Sequence, residues 1–183
     1  MKIFYAADMH AAESTFRKFT NAGPFYKVDI VIYGGDFVGK MVVPIVKTPR
    51  GHWEATYYGS TVIIKNAGEL PDLQKTLHDA GFYWIEMTES EIDQVTEKDV
   101  EEITKKLQIE QAESWSKLMD ERFKKNNLPC VITPGNDDPY YIDEAFDKLE
   151  YVKNGDGKVI EINGFEILSL SNGHPTKFKY HHK

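Results

Sequence analysis

Three short apolar runs in this chain each end in a polar turn, and this repeated arrangement constrains the fold more than any other feature. Unbroken apolar runs of this length are typical of buried parallel strands. Because open α/β sheets gather their ligands at the carboxyl ends of the strands, we expect the three turns to meet at one edge of a sheet. Residues 3–7, 30–33 and 130–133 precede, in that order, Asp8-Met9-His10, Gly35-Asp36 and Gly135-Asn136-Asp137-Asp138.

The region between the first two runs predicts a helix, with Ser14 as its N-cap and Gly23-Pro24 as its end. The resulting strand–helix–strand unit crosses over with a right hand in nearly all sheets, which places Asp8 and Asp36 on the same edge. The sequence therefore predicts an α/β fold with a mostly parallel, layered sheet flanked by helices.

The middle of the chain predicts an insertion. Residues 41–46, 53–58 and 61–64 alternate with turn residues and predict a small antiparallel ribbon. Thr96 and Asp99 resemble a capping box at the start of a long helix whose apolar stripe is typical of core packing. A helix over 142–149 follows the third motif, and Asn163-Gly164 predicts a hairpin with a type I′ turn.

Composition restricts the class of protein. The chain has 183 residues, of which 41% are hydrophobic, a formal charge of −7 and one cysteine, Cys130. The length favours a single soluble domain. The negative charge argues against a nucleic-acid footprint, because such binding depends on clustered cations. We expect a cytoplasmic protein with no membrane segment, since there is no disulfide framework and no apolar stretch long enough to cross a bilayer.

The three motifs carry the residues of a two-metal site. A carboxylate can bridge two divalent ions that clamp a phosphoester and activate water, and Asp36 is the candidate bridge. Asp8 and His10 are two residues apart and can chelate one ion, while Asn136 offers a carbonyl oxygen to the second. The sequence thus predicts a phosphoester hydrolase. A nucleotide-binding fold ranks last, because the chain has no glycine-rich or Walker-type loop.

In their order and placement, these motifs resemble those of the calcineurin-like metallophosphoesterase superfamily. The resemblance runs from residue 1 to about residue 176, with an insertion at about 41–127 and a tail over 177–183, and it is greatest to the amino-terminal part of longer members. It implies divalent metal cofactors such as manganese, iron or zinc, and a small-molecule phosphoester substrate. It also implies that Asp8, His10, Asp36 and Asn136 are metal ligands.

Two departures from the family pattern qualify the expected activity. Asp137 occupies the position where the family often has a catalytic histidine. Three roles are open for it, namely a catalytic residue, a loop cap or a hydrogen-bond acceptor next to the metal ligands. The later histidines that complete both metal sites are missing, although His174 could replace one or lie in a non-ligand loop. We therefore expect one tightly bound ion and a weak second one. The alternative function is a metal-binding or assembly module with an incomplete site, and an oligomer is compatible with either.

Overall fold

The fold is that of a computed structural model and is described for residues 1–171. The strands in this range are β1 (Ile3–Ala6), β2 (Ile30–Tyr33), β3 (Val42–Lys47), β4 (Trp53–Tyr57), β5 (Ser60–Ile64), β6 (Tyr83–Thr88), β7 (Cys130–Ile132), β8 (Lys153–Asn154), β9 (Val159–Ile162) and β10 (Phe165–Leu168). The α-helices are α1 (Glu13–Tyr26), α2 (Leu70–Asp79), α3 (Glu89–Ile92), α4 (Glu97–Lys125) and α5 (Asp143–Asp147).

A parallel sheet with the strand order β1-β2-β7-β8 forms the centre of the fold. The middle strands β2 and β7 are buried on both faces, and Ile30, Val31, Val131 and Ile132 have no exposed surface. Burial on both faces explains why these strands are unbroken apolar runs in the sequence. The prediction of an α/β fold with a parallel sheet flanked by helices is confirmed.

The main hydrophobic core joins this sheet to helices α1, α4 and α5. Phe16 of α1 stacks on Trp115 of α4 with ring centroids 4.0 Å apart. Phe37, which follows β2, makes edge-on contacts with Trp115 and Phe146 at 5.3 Å. Aromatic pairs in these geometries stabilise a core beyond their buried area. Helix α4 is therefore part of the main core, although the sequence places it in the insertion.

Helix α1 differs from its sequence prediction at its first turn. Ser14 is not the N-cap, because the helix already begins at Glu13. The Ser14 hydroxyl instead donates a hydrogen bond to the carbonyl of Asp79 at the end of α2, at 3.0 Å. A tertiary partner has replaced the local capping role that the sequence suggested.

Gly23-Pro24 does not end α1, which continues to Tyr26. The helix ends at Lys27, whose φ of 52° is left-handed. A Cβ atom on Gly23 would lie 2.1 Å from Cδ2 of Leu128, so the glycine allows the Leu128 side chain to pack directly against the helix. A glycine selected by packing is indistinguishable in sequence from one that terminates a helix.

The inserted ribbon is larger than predicted. Strands β3, β4 and β5 pair antiparallel, as expected, but β6 adds to β3 in parallel over six residue pairs and makes a mixed sheet in the order β5-β4-β3-β6. Helix α2 packs on this sheet, and Val43, Ile45, Leu73 and Leu77 form part of a separate core. The expectation of a simple antiparallel ribbon is corrected accordingly, since residues 83–88 form a strand that the sequence analysis did not assign.

Other local predictions are confirmed within small shifts. Thr96 and Asp99 form the capping box of the 29-residue helix α4. The hairpin of β9 and β10 turns through Asn163 and Gly164 with φ values of 54° and 78°, as a type I′ turn requires. The predicted helix over 142–149 is a 3₁₀ turn, Tyr140–Ile142, followed by the short α5. Among residues 1–171, none of the helices combines the length and the apolar character needed to cross a bilayer.

Candidate metal centre

The turns that follow β1 and β2 remain paired beyond the ends of their strands. The backbone N–H of Asp8 donates to the carbonyl of Gly35, and that of His10 donates to the carbonyl of Asp36, both at 2.9 Å. After β7, the N–H of Thr133 donates to the carbonyl of Tyr33 at 3.0 Å. These bonds bring the first two motifs side by side and lead the third toward them, as the sequence predicts for one edge of the sheet.

Asp8, His10 and Asp36 converge into one group that could hold a metal ion. One ligand atom from each residue lies within 4.8 Å of the others, and Nε2 of His10 is 3.7 Å from Oδ2 of Asp36. Ligand atoms that share one ion lie at most about 4 Å apart, which is twice a bond length of about 2.1 Å. Shifts of less than about 1 Å would therefore bring all three groups onto a common ion.

The backbone of all three residues lies in the left-handed region. The φ values are 59° for Asp8, 43° for His10 and 59° for Asp36. Such conformations are uncommon outside glycine and cost of order 1–3 kcal/mol each unless local hydrogen bonds offset them. Strain of this kind clusters at functional sites, where the surrounding structure holds side chains in a required geometry. Its coincidence with the three candidate ligands favours a functional site here.

Two glycines let the third turn approach the second. A Cβ atom on Gly135 would lie 2.1 Å from Oδ1 of Asp36 and 2.3 Å from its backbone nitrogen. A Cβ atom on Gly35, whose φ is 105°, would lie 2.5 Å from Cα of Gly135. Only glycine allows backbone this close, so Gly35 and Gly135 bring the turns after β2 and β7 into direct contact.

Asp138 fastens these two turns together. Its carboxylate accepts hydrogen bonds from the N–H groups of Phe37 at 2.8 Å, Val38 at 3.0 Å and Gly135 at 2.8 Å. Burial raises the pKa of Asp138, while the three backbone donors oppose that rise. Sequence analysis missed this role, because Phe37 and Asp138 are 101 positions apart. A turn carboxylate that accepts from the N–H three residues before it is a local signal, but it does not reveal the distant partners.

Asp36 lies at the centre of the acidic cluster and is only 8% exposed. Its Oδ1 accepts a hydrogen bond from the backbone N–H of Asp137 at 3.1 Å. Burial raises the pKa of Asp36, and the negative charge of Asp137 raises it further, while the Asp137 N–H and His10 lower it. A divalent cation would stabilise the ionised form of a carboxyl group held in this way.

Asn136 and Asp137 lie on the turn beside this cluster. Asn136 is exposed, and its Nδ2 donates to Oδ1 of Asp137 at 3.3 Å. The Asp137 carboxylate also forms an ion pair with Lys40. In these contacts the Asp137 carboxylate acts as an acceptor, which is one of the three roles that the sequence leaves open. The ligand role of Asn136 and the catalytic role of Asp137 stay predictions, and His174 lies outside the described residues.

A buried polar network connects the insertion to the candidate ligand loops. Gln111 of α4 donates to the carbonyl of Ala11 at 3.3 Å and accepts from the hydroxyl of Tyr83 at 2.5 Å. Gln108 donates to the carbonyl of Gly39 at 2.6 Å, and the N–H of Gly39 donates to Tyr83 at 3.1 Å. Sequence analysis missed this network, because glutamines beside an apolar helical stripe resemble a solvated face.

Comparisons of the chain with protein-family models, with curated proteins and with solved structures find no match. The function is therefore inferred from the chemistry of the candidate metal centre.

Proposed function

We propose that this chain is a metal-dependent phosphoester hydrolase of the calcineurin-like metallophosphoesterase type. The observation that carries the proposal is the convergence of Asp8, His10 and Asp36, which come from the turns after two adjacent parallel strands. The left-handed backbone at all three positions supports it further, since strain at candidate ligands is typical of a site shaped for binding.

The donor set fits a divalent transition metal. Two carboxylates and one imidazole suit manganese, iron or zinc better than they suit an ion that prefers oxygen alone. The glycine-lined contact between the turns leaves no room for a side chain between Asp36 and Gly135. A bound ion of this class supplies Lewis-acid stabilisation of a phosphoryl group and makes water a better nucleophile at neutral pH.

The chain's own residues hold this centre in place. Asp36 is oriented by the N–H of Asp137, and its loop is fixed by the Asp138 carboxylate through Phe37 and Val38. Groups fixed in advance in this way lose little freedom when they bind an ion or a charged substrate. Asn136 is the candidate ligand for a second ion, which would share Asp36 and would have fewer protein ligands than the first.

Hydrolysis of an aromatic phosphate monoester and of a diester in the presence of manganese tests the proposal. We expect metal-dependent turnover by the wild type, and a loss of turnover of at least about 100-fold for Asp36→Asn. Asp93→Asn, which removes an exposed carboxylate at the end of α3, is the matched control and should retain full activity. Equal turnover by wild type and Asp36→Asn contradicts the proposal.

The same proteins separate the hydrolase from the alternative of a metal-binding or assembly module. Robust manganese binding that depends on Asp36, with no turnover of either ester, favours the module. Metal analysis after dialysis should find one ion retained much more tightly than a second. Two equally retained ions per chain would contradict the expected difference between the two metal sites.

A further inference from the structure

Lys40 places a positive charge beside the acidic cluster. It follows the turn that carries Asp36, and its ammonium group forms an ion pair with the carboxylate of Asp137. The backbone N–H of Asp137 in turn donates to Oδ1 of Asp36 at 3.1 Å. A cation is thus held next to the residue that orients the central candidate ligand.

The backbone that precedes Lys40 is fixed from two sides by the insertion. The N–H of Gly39 donates to the hydroxyl of Tyr83 at 3.1 Å, and the carbonyl of Gly39 accepts from Gln108 at 2.6 Å. Tyr83 and Gln108 are only 6% and 5% exposed. A Cβ atom on Gly39 would lie 2.8 Å from Cβ of Ala11, so the chain passes very close to the His10 loop.

This anchoring distinguishes Lys40 from an ordinary surface lysine. The side chain of Lys98 is 82% exposed and pairs with Glu102 on the same helix. Exposed ion pairs of this kind contribute little to the stability of the fold. The side chain of Lys40 is 36% exposed and pairs with the carboxylate of Asp137, and the backbone of the residue before it is held by two buried side chains. This side chain remains open to solvent, and its partner Asp137 contacts Asp36 directly, so Lys40 lies beside the region in which an anion at the metal centre would bind.

We propose that Lys40 binds the phosphoryl group of the substrate at the metal centre, an inference that rests on the proposed function for the identity of that substrate. A lysine ammonium is a compact charge that forms strong charge-assisted bonds with phosphate oxygens. Asp137 positions the ammonium group, and the insertion positions the backbone from which it extends. The inserted sheet and helix α4 thereby contribute to recognition of the anion.

Binding of inorganic phosphate to the manganese-loaded protein, measured by calorimetry, tests this assignment. Loss of one charge-assisted contact predicts an affinity about 10- to 100-fold weaker for Lys40→Met. Lys40→Arg retains the charge and should recover most of the affinity. Lys98→Met removes an exposed, ion-paired lysine and is the matched control, with an expected affinity equal to that of the wild type.

Manganese affinity and urea unfolding of the same variants separate binding from a merely structural ion pair. In Lys40→Met we expect manganese affinity within about twofold of the wild type and a nearly unchanged urea midpoint, because Lys40 is not a metal ligand and its ion pair with Asp137 is partly exposed. If Lys40→Met unfolds more easily, Lys40→Gln retains a donor for Asp137 while removing the same charge. Phosphate affinity within twofold of wild type in both neutral variants overturns the assignment, as does a wild type that binds no phosphate.

Failure of this inference is distinguishable from failure of the proposed function. A protein that binds phosphate through Lys40 but hydrolyses neither ester is not a hydrolase, yet its anion site stands. A protein that hydrolyses esters with the same KM in wild type and Lys40→Met is a hydrolase whose substrate does not contact Lys40. A raised KM at nearly constant kcat supports the assignment.

Discussion

The carboxyl edge of the parallel sheet and the inserted layer place their polar groups in opposite ways. At the edge, Asp8, His10 and Asp36 combine left-handed backbone with crowded and partly buried charges. In the insertion, Thr96 and Asp99 form an ordinary helix cap on the surface. Helix α4 also carries exposed ion pairs between residues one helical turn apart, which are common on helix surfaces.

This difference indicates what each region contributes. Strain and charge crowding lower stability, so their presence at the sheet edge is better explained by a function than by folding. The inserted sheet and α2 have their own hydrophobic core, helix α4 packs in the main core, and Tyr83, Gln108 and Gln111 of these elements bond to the backbone or to one another near the edge. We infer that the insertion helps to hold the strained loops in position.

The largest expected effect comes from a methyl group placed between the two turns. In Gly135→Ala the new Cβ would clash with both Oδ1 and the backbone nitrogen of Asp36. We expect a loss of about 3 kcal/mol in the free energy of unfolding, together with weaker manganese binding, because the turns must separate. Urea denaturation and metal titration measure the two effects.

Gly68→Ala is the matched control in the insertion. Its Cβ would lie 3.4 Å from the nearest atom, Oδ1 of Asn66, and we expect a change within about 0.5 kcal/mol. If Gly135→Ala were as well tolerated as Gly68→Ala, the conclusion that the second and third turns are in close contact would be contradicted.

Sequence alone could predict the features of the site that depend on local patterns. Each candidate ligand in the triad follows an apolar run, and parallel strands place the ends of such runs together, so Asp8, His10 and Asp36 were predictable as a group. Asp138 was not, since nothing local distinguishes it from Asp137 as the partner of the distant Phe37. The same reason explains why the glutamines of α4 were missed, because their partners are loop carbonyls far away in the chain.

An intermediate effect is expected where the insertion contacts the ligand loops. Gln111→Leu leaves the carbonyl of Ala11 and the hydroxyl of Tyr83 without this partner in a buried environment. A loss of about 1–3 kcal/mol in the free energy of unfolding follows from such unsatisfied groups. Manganese affinity should fall by about tenfold, because outlying groups orient the loop that carries His10.

Gln74→Leu provides the comparison within the insertion. Gln74 donates to Glu86 at 2.8 Å on the exposed surface, so its replacement should alter neither stability nor metal affinity appreciably. Equal manganese affinities for Gln111→Leu and the wild type would show that the insertion does not support the metal centre.

The smallest expected effect is a difference between the two regions in how the free energy of unfolding depends on pH. It is measured with a chelator present, so that the protein is free of metal. The folded-state pKa of Asp36 is raised above its ordinary value of 3.8, chiefly by burial. The native state then binds a proton more tightly than the unfolded state, so ionisation of Asp36 costs stability as pH rises through this window. Relative to Asp36→Asn, the wild type should lose stability between acid and neutral pH. We expect a difference below about 1 kcal/mol, since the neighbouring Asp8 and His10 are exposed or partly exposed and solvent screens the charges of the cluster.

Asp99 should show the opposite sign. The hydroxyl and backbone N–H of Thr96 lower the pKa of Asp99 below its ordinary value. Its contribution to stability is therefore present above the unfolded pKa and is lost as pH falls through the folded one. Relative to Asp99→Asn, the wild type should gain stability as pH rises from the lowered folded pKa of Asp99 to its ordinary value of 3.8, whereas the loss due to Asp36 falls in the window above 3.8. Urea unfolding of the three proteins between about pH 2 and 7 measures both slopes. Slopes of the same sign would mean that the sheet edge is no more strained electrostatically than an ordinary helix cap.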